Sequence, residues 1–489
     1  MVLEKSLKEL IEKNKTFFYF LKLCEIPHGS YSEKKISDFI MNWAKERDLQ
    51  EVIQDQYFNL FIRKKASDGY RYKKPIILQA HLDMVCEKLP EVAHDFKKDS
   101  IITKLDNDIL STGNRTTLGA DNGVGVAMIM AILENKKLKH PEIDVILTTA
   151  EEEDMNGALN ISESWLMNTD RVINLDNTLD NNLIAGSSGG RGAELKIPVI
   201  YREKENGEIG YLISVGGLVG GHSGEDIEKG RANANILLAR FLKGIEKIVP
   251  FTISDINGGS FRLALPREAS AVLVISKDDY ATVKINLELF EKSMRKIYAS
   301  VEPNLFINLE EIKTVERVLT KESTKKIIDS ILLSPNGIFE KFVDLSVVES
   351  SCNLGEVTIK GDFAYLVTEI RGVFEENVEY IYNKILTLGE RMGGEVKDFA
   401  PYPSWIYKVD SKLREIAIKT YEDMFQEKLE VSVIHGGLEC GCFSLKIRDM
   451  DAISIGPNIW DLHSPYERVS VLSTNKSYNF LLKLLENLE

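Results

Sequence analysis

At 489 residues the chain is longer than a single hydrophobic core supports, so at least two domains are expected. Its 44% apolar and 28% charged residues are those of an ordinary globular protein, and a formal net charge of -14 argues against nucleic acid or an anionic membrane as partner, since both need basic patches. No run of about 18 apolar residues is available to span a bilayer, and five cysteines fit a reducing compartment better than a disulfide framework.

The opening Met1-Val2-Leu3-Glu4-Lys5 mixes charge through what would be the apolar core of a signal peptide, which predicts a cytoplasmic protein. Residues 7–23 have helical spacing. Ser30-x-x-Glu33 resembles a capping box opening a helix to about Arg47. Short β-rich runs follow at 60–62 and 76–78, the second ending on Gln79-Ala80-His81-Leu82-Asp83. Residues 124–133 are apolar all round, which predicts a buried helix with Asp121 or Asn122 near its N-cap. Val145-Ile146-Leu147-Thr148-Thr149 reads as a buried strand running into Glu151-Glu152-Glu153, and Val172-Ile173-Asn174-Leu175 as another ending at Asp176. Near the C-terminus, Ala452-Ile453-Ser454-Ile455 precedes a loop containing His463.

Strands alternating with helices predict an α/β domain with a mostly parallel sheet. Four of its apolar strands deliver a histidine or an acid just beyond their C-terminal ends, where open α/β sheets build their sites. From about Arg191 to Phe399 the texture changes: amphipathic helices are expected at 240–248 and 287–298, a strand at 261–265, and no dense acid-histidine cluster occurs. From Pro401 the first texture returns, with Leu413, Ile416, Ala417, Tyr421 and Met424 on one helical face and a closing helix at 481–488. The expected organisation is a discontinuous domain, 1–190 with 400–489, interrupted by an inserted domain at 191–399.

His81 and Asp83 lie two apart, so on an extended strand they face the same way, and a carboxylate beside a ligating histidine orients its ring. Asp121 among small residues reads by itself as an N-cap. The glycines at 119, 123 and 125 invite a nucleotide-loop reading that fails on their spacing and on the missing Gly-Lys-Ser/Thr. Adjacent acids at the end of a strand, Glu151 and Glu152, point to opposite sides, so one can bind metal while its neighbour handles protons. Cys440-x-Cys442 is too closely spaced for the usual zinc pairs and reads as buried thiols. Together, two histidines (His81, His463) and three carboxylates (Asp121, Asp176 and one of the Glu pair) make an N/O donor set suited to zinc, with cobalt or manganese as alternatives.

In order along nearly the whole chain, these residues resemble the M20 metallopeptidases, most closely the aminoacyl-histidine dipeptidase subfamily. The motifs that carry the likeness are Leu78-Gln79-Ala80-His81-Leu82-Asp83-Met84-Val85, Leu118-Gly119-Ala120-Asp121-Asn122-Gly123, Thr149-Ala150-Glu151-Glu152, Asn174-Leu175-Asp176, Gly220-Gly221-His222-Ser223-Gly224, His435-Gly436-Gly437-Leu438-Glu439-Cys440-Gly441 and His463-Ser464-Pro465. The resemblance implies a zinc-peptidase-like catalytic domain with an inserted α+β lid that dimerises. It implies that His81, Asp121 and Asp176 hold one metal, and that His463, Glu152 and again Asp121 hold the other. Glu151 is then the general base and Asp83 the carboxylate behind His81. His222 reaches a substrate carbonyl, Arg371 and the Gly436-Gly437 turn meet the substrate carboxylate, and Glu439 its amine. The implied activity is hydrolysis of dipeptides, Xaa-His among them. Leu263 stands where relatives carry an asparagine associated with substrate binding, which points toward broad specificity. The rival readings are an aminoacylase on the same metal pair, a non-catalytic dimeric binding protein on an inherited scaffold and, more distantly, a nucleotide-binding enzyme.

Overall fold

The computed structural model describes residues 5–47, 49–312, 315, 317–342 and 347–488, so residues 1–4, read above for a targeting signal, lie outside them. The chain forms two compact units. The first comprises Met1–Ser187, Trp405–Val433 and Leu438–Glu489, and the second Ser188–Ser404 with Ile434–Gly437.

The first unit is built on an eight-stranded mixed sheet in the order Gln50–Gln54, Leu60–Lys64, Ile143–Thr148, Ile76–His81, Arg171–Asn174, Asp451–Ser454, Asn182–Ser187, Glu430–Ile434. Its parallel pairs are central: Ile143–Thr148 with Ile76–His81, that strand with Arg171–Asn174, and the latter with Asp451–Ser454. All four are buried along their length and three are rich in β-branched residues, as expected of strands covered on both faces. These are the four strands whose C-terminal ends carry the histidine and acid clusters, and being neighbours and co-directional they bring those ends to one edge.

The helix Ala120–Glu134 is buried over nearly its whole length, because a helix apolar all round has no face to give to water. It packs in a core with Phe17, Phe20, Leu78 and Leu481. Its regular turns begin only after Asn122, since Asp121 and Asn122 have non-helical backbone angles and Gly119 takes the N-cap place at φ 71°. The expected N-terminal helix is two, Lys5–Lys13 and Lys15–Leu23, separated by Asn14, whose side chain accepts from the amides of Thr16 and Phe17 and caps the second. Of the face predicted from Leu413, Ile416, Ala417, Tyr421 and Met424, the first, third and fourth are buried on Lys412–Phe425 and Ile416 and Met424 are half-buried, and the closing helix is longer than expected, Val471–Asn487.

The second unit is an antiparallel nine-stranded sheet with the helices Ala234–Ile245, Tyr280–Ile297, Lys321–Leu333 and Glu375–Met392. Its core joins Leu237, Phe241 and Leu242 to sheet residues such as Ile213, Leu273 and Leu366. The helices expected at 240–248 and 287–298 both start six or seven residues earlier than their apolar spacing suggests. Residues 261–265, expected as a strand, form a turn with a single bridge between His222 and Ala264. Asn353 donates to the carbonyls of Arg262 and Ala264, and this outside partner holds the segment in a turn despite its alternating pattern. Among the described residues, no helix is long and apolar enough to cross a membrane.

Candidate metal centre

His81 ends its strand, and its Nδ1 lies 3.1 Å from the carbonyl and 3.5 Å from a carboxylate oxygen of Asp83. That contact turns Nε2 outward, 3.1 Å from Asp121 Oδ1 and 3.3 Å from Asp176 Oδ1. The other oxygen of Asp121 is 3.6 Å from His463 Nε2, which is 2.9 Å from Glu152. One aspartate thus faces two histidines with its two oxygens. Candidate donor atoms of three sets, His81-Asp121-Asp176, Asp121-Glu152-His463 and His81-Glu151-Glu152, each lie within 4.8 Å of one another.

Asp83 is buried and accepts from Ser30 Oγ at 2.8 Å and from the backbone amides of Glu151 and Glu152 at 3.0 and 3.2 Å. Burial works to raise its carboxyl, but His81 and these donors outweigh it and hold Asp83 below the usual carboxylate range. The reading of Glu151 and Glu152 as alternating strand residues is corrected: the strand stops at Thr148, Ala150 turns left-handed at φ 54°, and Glu151–Asp154 is a helical turn. A left-handed alanine is strained, and its amide is pinned by Glu33 at 3.0 Å. Both carboxylates therefore gather with His81 on one side. The Ser30-x-x-Glu33 box is also corrected. Glu33 makes no side-chain cap on its own helix and accepts instead from Tyr31 and Ala150, while Ser30 serves Asp83.

Asn122 donates to Asp176 Oδ1 at 2.9 Å. The close approach needs glycine at 125, where an added Cβ would stand 2.0 Å from the Asn122 side-chain oxygen and 2.8 Å from the Leu175 carbonyl. Glu439 is fully buried; one oxygen accepts from Gln79 and from Thr148 at 2.7 Å, and the other has no partner among the described residues. Burial pushes its carboxyl up to about 7. Burial likewise drives Glu151 well above the carboxylate range, with Asp176, Glu152 and Glu439 adding to the rise against the pull of His81. Burial opposes the charging of His463, but Glu152 and Asp121 carry it up to about 11.

The cluster is short of positive charge, since among the described residues the ion pairs of Asp121, Glu152 and Asp176 are all with histidine. Glu152 Oε1 is buried and has no hydrogen-bond partner among the described residues. Buried carboxylates without cationic side chains are stable when they coordinate metal, and two imidazoles with three carboxylates suit divalent ions. The residues present fit a pair of such ions.

Of the remaining sequence-selected residues, His222, Arg371, Gly436 and Gly437 belong to the second unit. Arg371 is buried, donating to Tyr402 Oη at 2.8 Å and to Ser223 Oγ at 3.3 Å, with its Nη2 3.3 Å from His222 Nε2. Tyr402 in turn donates to Glu369, which pairs with Arg262 at 3.0 Å. The Gly436 carbonyl accepts from Ser188. Leu263 lies beside this group, its carbonyl accepting from the Ser223 amide at 2.8 Å. Sequence reasoning gave no role at the site to Ser30, Asn122, Tyr402 or Glu467; Ser30 was read as a helix cap, Asn122 stood inside the Leu118–Gly123 motif, and Glu467 is an acid four residues after His463.

A donor set of this make-up at the carboxyl ends of parallel strands is that of a metal-dependent hydrolase. Peptidase family M20/M25/M40 matches residues 77–487. The chain is 34% identical over 470 residues to the cytosol non-specific dipeptidase of Escherichia coli (strain K12), covering 96% of each protein. The crystal structure of aminoacylhistidine dipeptidase from Vibrio alginolyticus superposes with a TM-score of 0.82 at 31% identity, over 97% of this chain and 96% of that one. Aminopeptidase PepT from Bacillus cereus shares the fold alone, at a TM-score of 0.55 and 14% identity over 99% of this chain and 98% of that one. The chain belongs to peptidase family M20/M25/M40 and is a metallopeptidase that uses divalent ions to hydrolyse peptide bonds.

Proposed function

We propose that the protein is a broad-specificity dipeptidase with two zinc ions, in which Glu151 is the general base. The observation that carries this reading is the convergence of His81, Asp121, Asp176, Glu152 and His463 around one aspartate that faces both histidines. His81 and Asp176 would share one ion with Asp121, and Glu152 and His463 the other. The ions, when bound, polarise a scissile carbonyl and bring the pKa of water toward roughly 7. Glu151 takes a proton from the attacking water on its carboxylate and passes it to the leaving amine. Asp83 keeps His81 with Nδ1 protonated and Nε2 free to ligate. Glu439, with one unpartnered oxygen, is suited to a substrate ammonium group. On the second unit Arg371 is suited to the substrate carboxylate, with the Gly436-Gly437 backbone beside the same role, and His222 to the developing oxyanion. The reading extends to a lid role for that unit, a homodimer formed through it, and a cytoplasmic location like that named for the Escherichia coli relative.

Metal analysis with parallel assays of Ala-His, Gly-Gly and N-acyl amino acids tests the reading. Two equivalents of zinc and turnover of both dipeptides are expected. Turnover confined to N-acyl substrates would make the protein an aminoacylase, and no turnover at all would leave a binding protein.

A further inference from the structure

Four residues after His463 stands an acid, Glu467, that the mechanism does not use. Its side chain is buried, and its carboxylate accepts from four successive backbone amides: Leu118 at 2.7 Å, Gly119 at 3.1 Å, Ala120 at 2.7 Å and Asp121 at 3.3 Å. A carboxylate has about four acceptor positions and no donor, so it matches four converging N–H groups as no neutral side chain does. On its own side, Glu467 ends a tight turn in which its amide donates to the Ser464 carbonyl at 3.1 Å and Ser464 Oγ to the Asp461 carbonyl at 2.7 Å. His463 sits inside that turn at φ 57°. Its side chain is half exposed, so packing on one side does not by itself aim the ring and the backbone of the turn shares in placing it. Asp121 has the same need, because its residue lies outside the regular helix that follows.

We propose that Glu467 is a positioning residue that fastens the His463 turn to residues 118–121, so that one buried carboxylate sets the separation of Asp121 and His463. The inference rests on the reading that these two side chains share a cation. Glutamine at 467 keeps the shape but offers one accepting oxygen and an NH2 that faces amide donors, so about half of the four contacts go. Outer partners of metal ligands are worth roughly 10–100-fold in metal affinity.

The test uses the full-length protein stripped of metal and titrated with Co2+, followed by calorimetry and by visible absorption, which reports the ligand field. The parent takes up two equivalents. Glu467→Gln is expected to bind the second equivalent roughly 10–100-fold more weakly, with an altered cobalt spectrum. Reconstituted with zinc, it should lose kcat on Gly-Gly with KM little changed. Arg414→Met is the control: Arg414 is buried in the same unit, and its guanidinium donates to the carbonyls of Lys408 and Val409 and lies over the Tyr407 ring, none of them a site residue, so its loss destabilises without touching the site. Normal uptake of both equivalents by Glu467→Gln, or an equal loss in Arg414→Met, overturns the proposal. Should Glu467→Gln not fold, Glu467→Asp, which keeps the charge on a shorter reach, is held to the same criteria. A parent that fails to take two equivalents refutes the two-cation reading itself, whereas a normal variant beside a two-equivalent parent removes only Glu467.

Discussion

Replacing Glu151 by glutamine separates the two jobs its surroundings allow. The carboxylate lies in one triad of candidate donors with His81 and Glu152, all within 4.8 Å, so proximity alone would let it be a ligand. The exchange is nearly isosteric, and the bond from the Glu151 amide to Asp83 is made by the backbone and survives. General-base catalysis contributes about 10²- to 10⁴-fold, or roughly 3–5 kcal/mol of barrier. That fall in kcat is expected for Gly-Gly hydrolysis, with metal stoichiometry unchanged. Electrostatics gives the second readout. Two like charges ~5 Å apart repel by roughly 3 kcal/mol at an effective dielectric of about 20, and Glu151 faces Asp176, Glu152 and Glu439. The metal-free variant should therefore melt no lower than the metal-free parent. Residual activity above a tenth of the parent's would refute the base assignment, and loss of one equivalent of metal would make Glu151 a ligand.

Chelation should abolish turnover and lower the melting temperature, with recovery on adding zinc; an ion present at about 1,000 times its Kd contributes about 4 kcal/mol, so an unchanged melting curve would count against a bound pair. Asp83→Asn should weaken metal uptake by roughly 10–100-fold, because the amide cannot accept on both sides from Ser30, Glu151 and Glu152; calorimetric titration reads it. Arg371→Lys keeps the charge but cannot span Tyr402 and Ser223 together, so KM for dipeptides should rise about 10-fold or more, as expected for a hydrogen bond to a charged group, with a smaller change in kcat. His140 is buried, and burial pushes its imidazole down to about 4. Between pH 6.5 and 4 the unfolded chain takes up a proton that the folded one does not, so stability falls as pH drops through that window. The parent should lose ground to His140→Asn by up to about 1.4 kcal/mol per pH unit, and parallel denaturant titrations at pH 7 and 5 measure it.

The local pattern was enough for the elements around the site. Apolar runs too short and too β-branched for helices located the four central strands, and an all-round apolar segment located the buried helix behind Asp121. Alternation and spacing also put His81, the Glu151-Glu152 pair and Asp176 at strand ends, since those are one-dimensional properties that hydrophobic burial enforces locally. What such a pattern cannot carry is the partner of a polar group. Whether Ser30 caps a helix or holds Asp83, whether Glu33 closes a box or pins the Ala150 amide, and whether residues 261–265 extend or turn are choices among hydrogen bonds of similar strength. The choice goes to the donor or acceptor that the fold brings near, often from tens or hundreds of residues away. Glu467 is the extreme case: 346 residues separate it from Asp121, and only in the folded chain do four amides point at one acid.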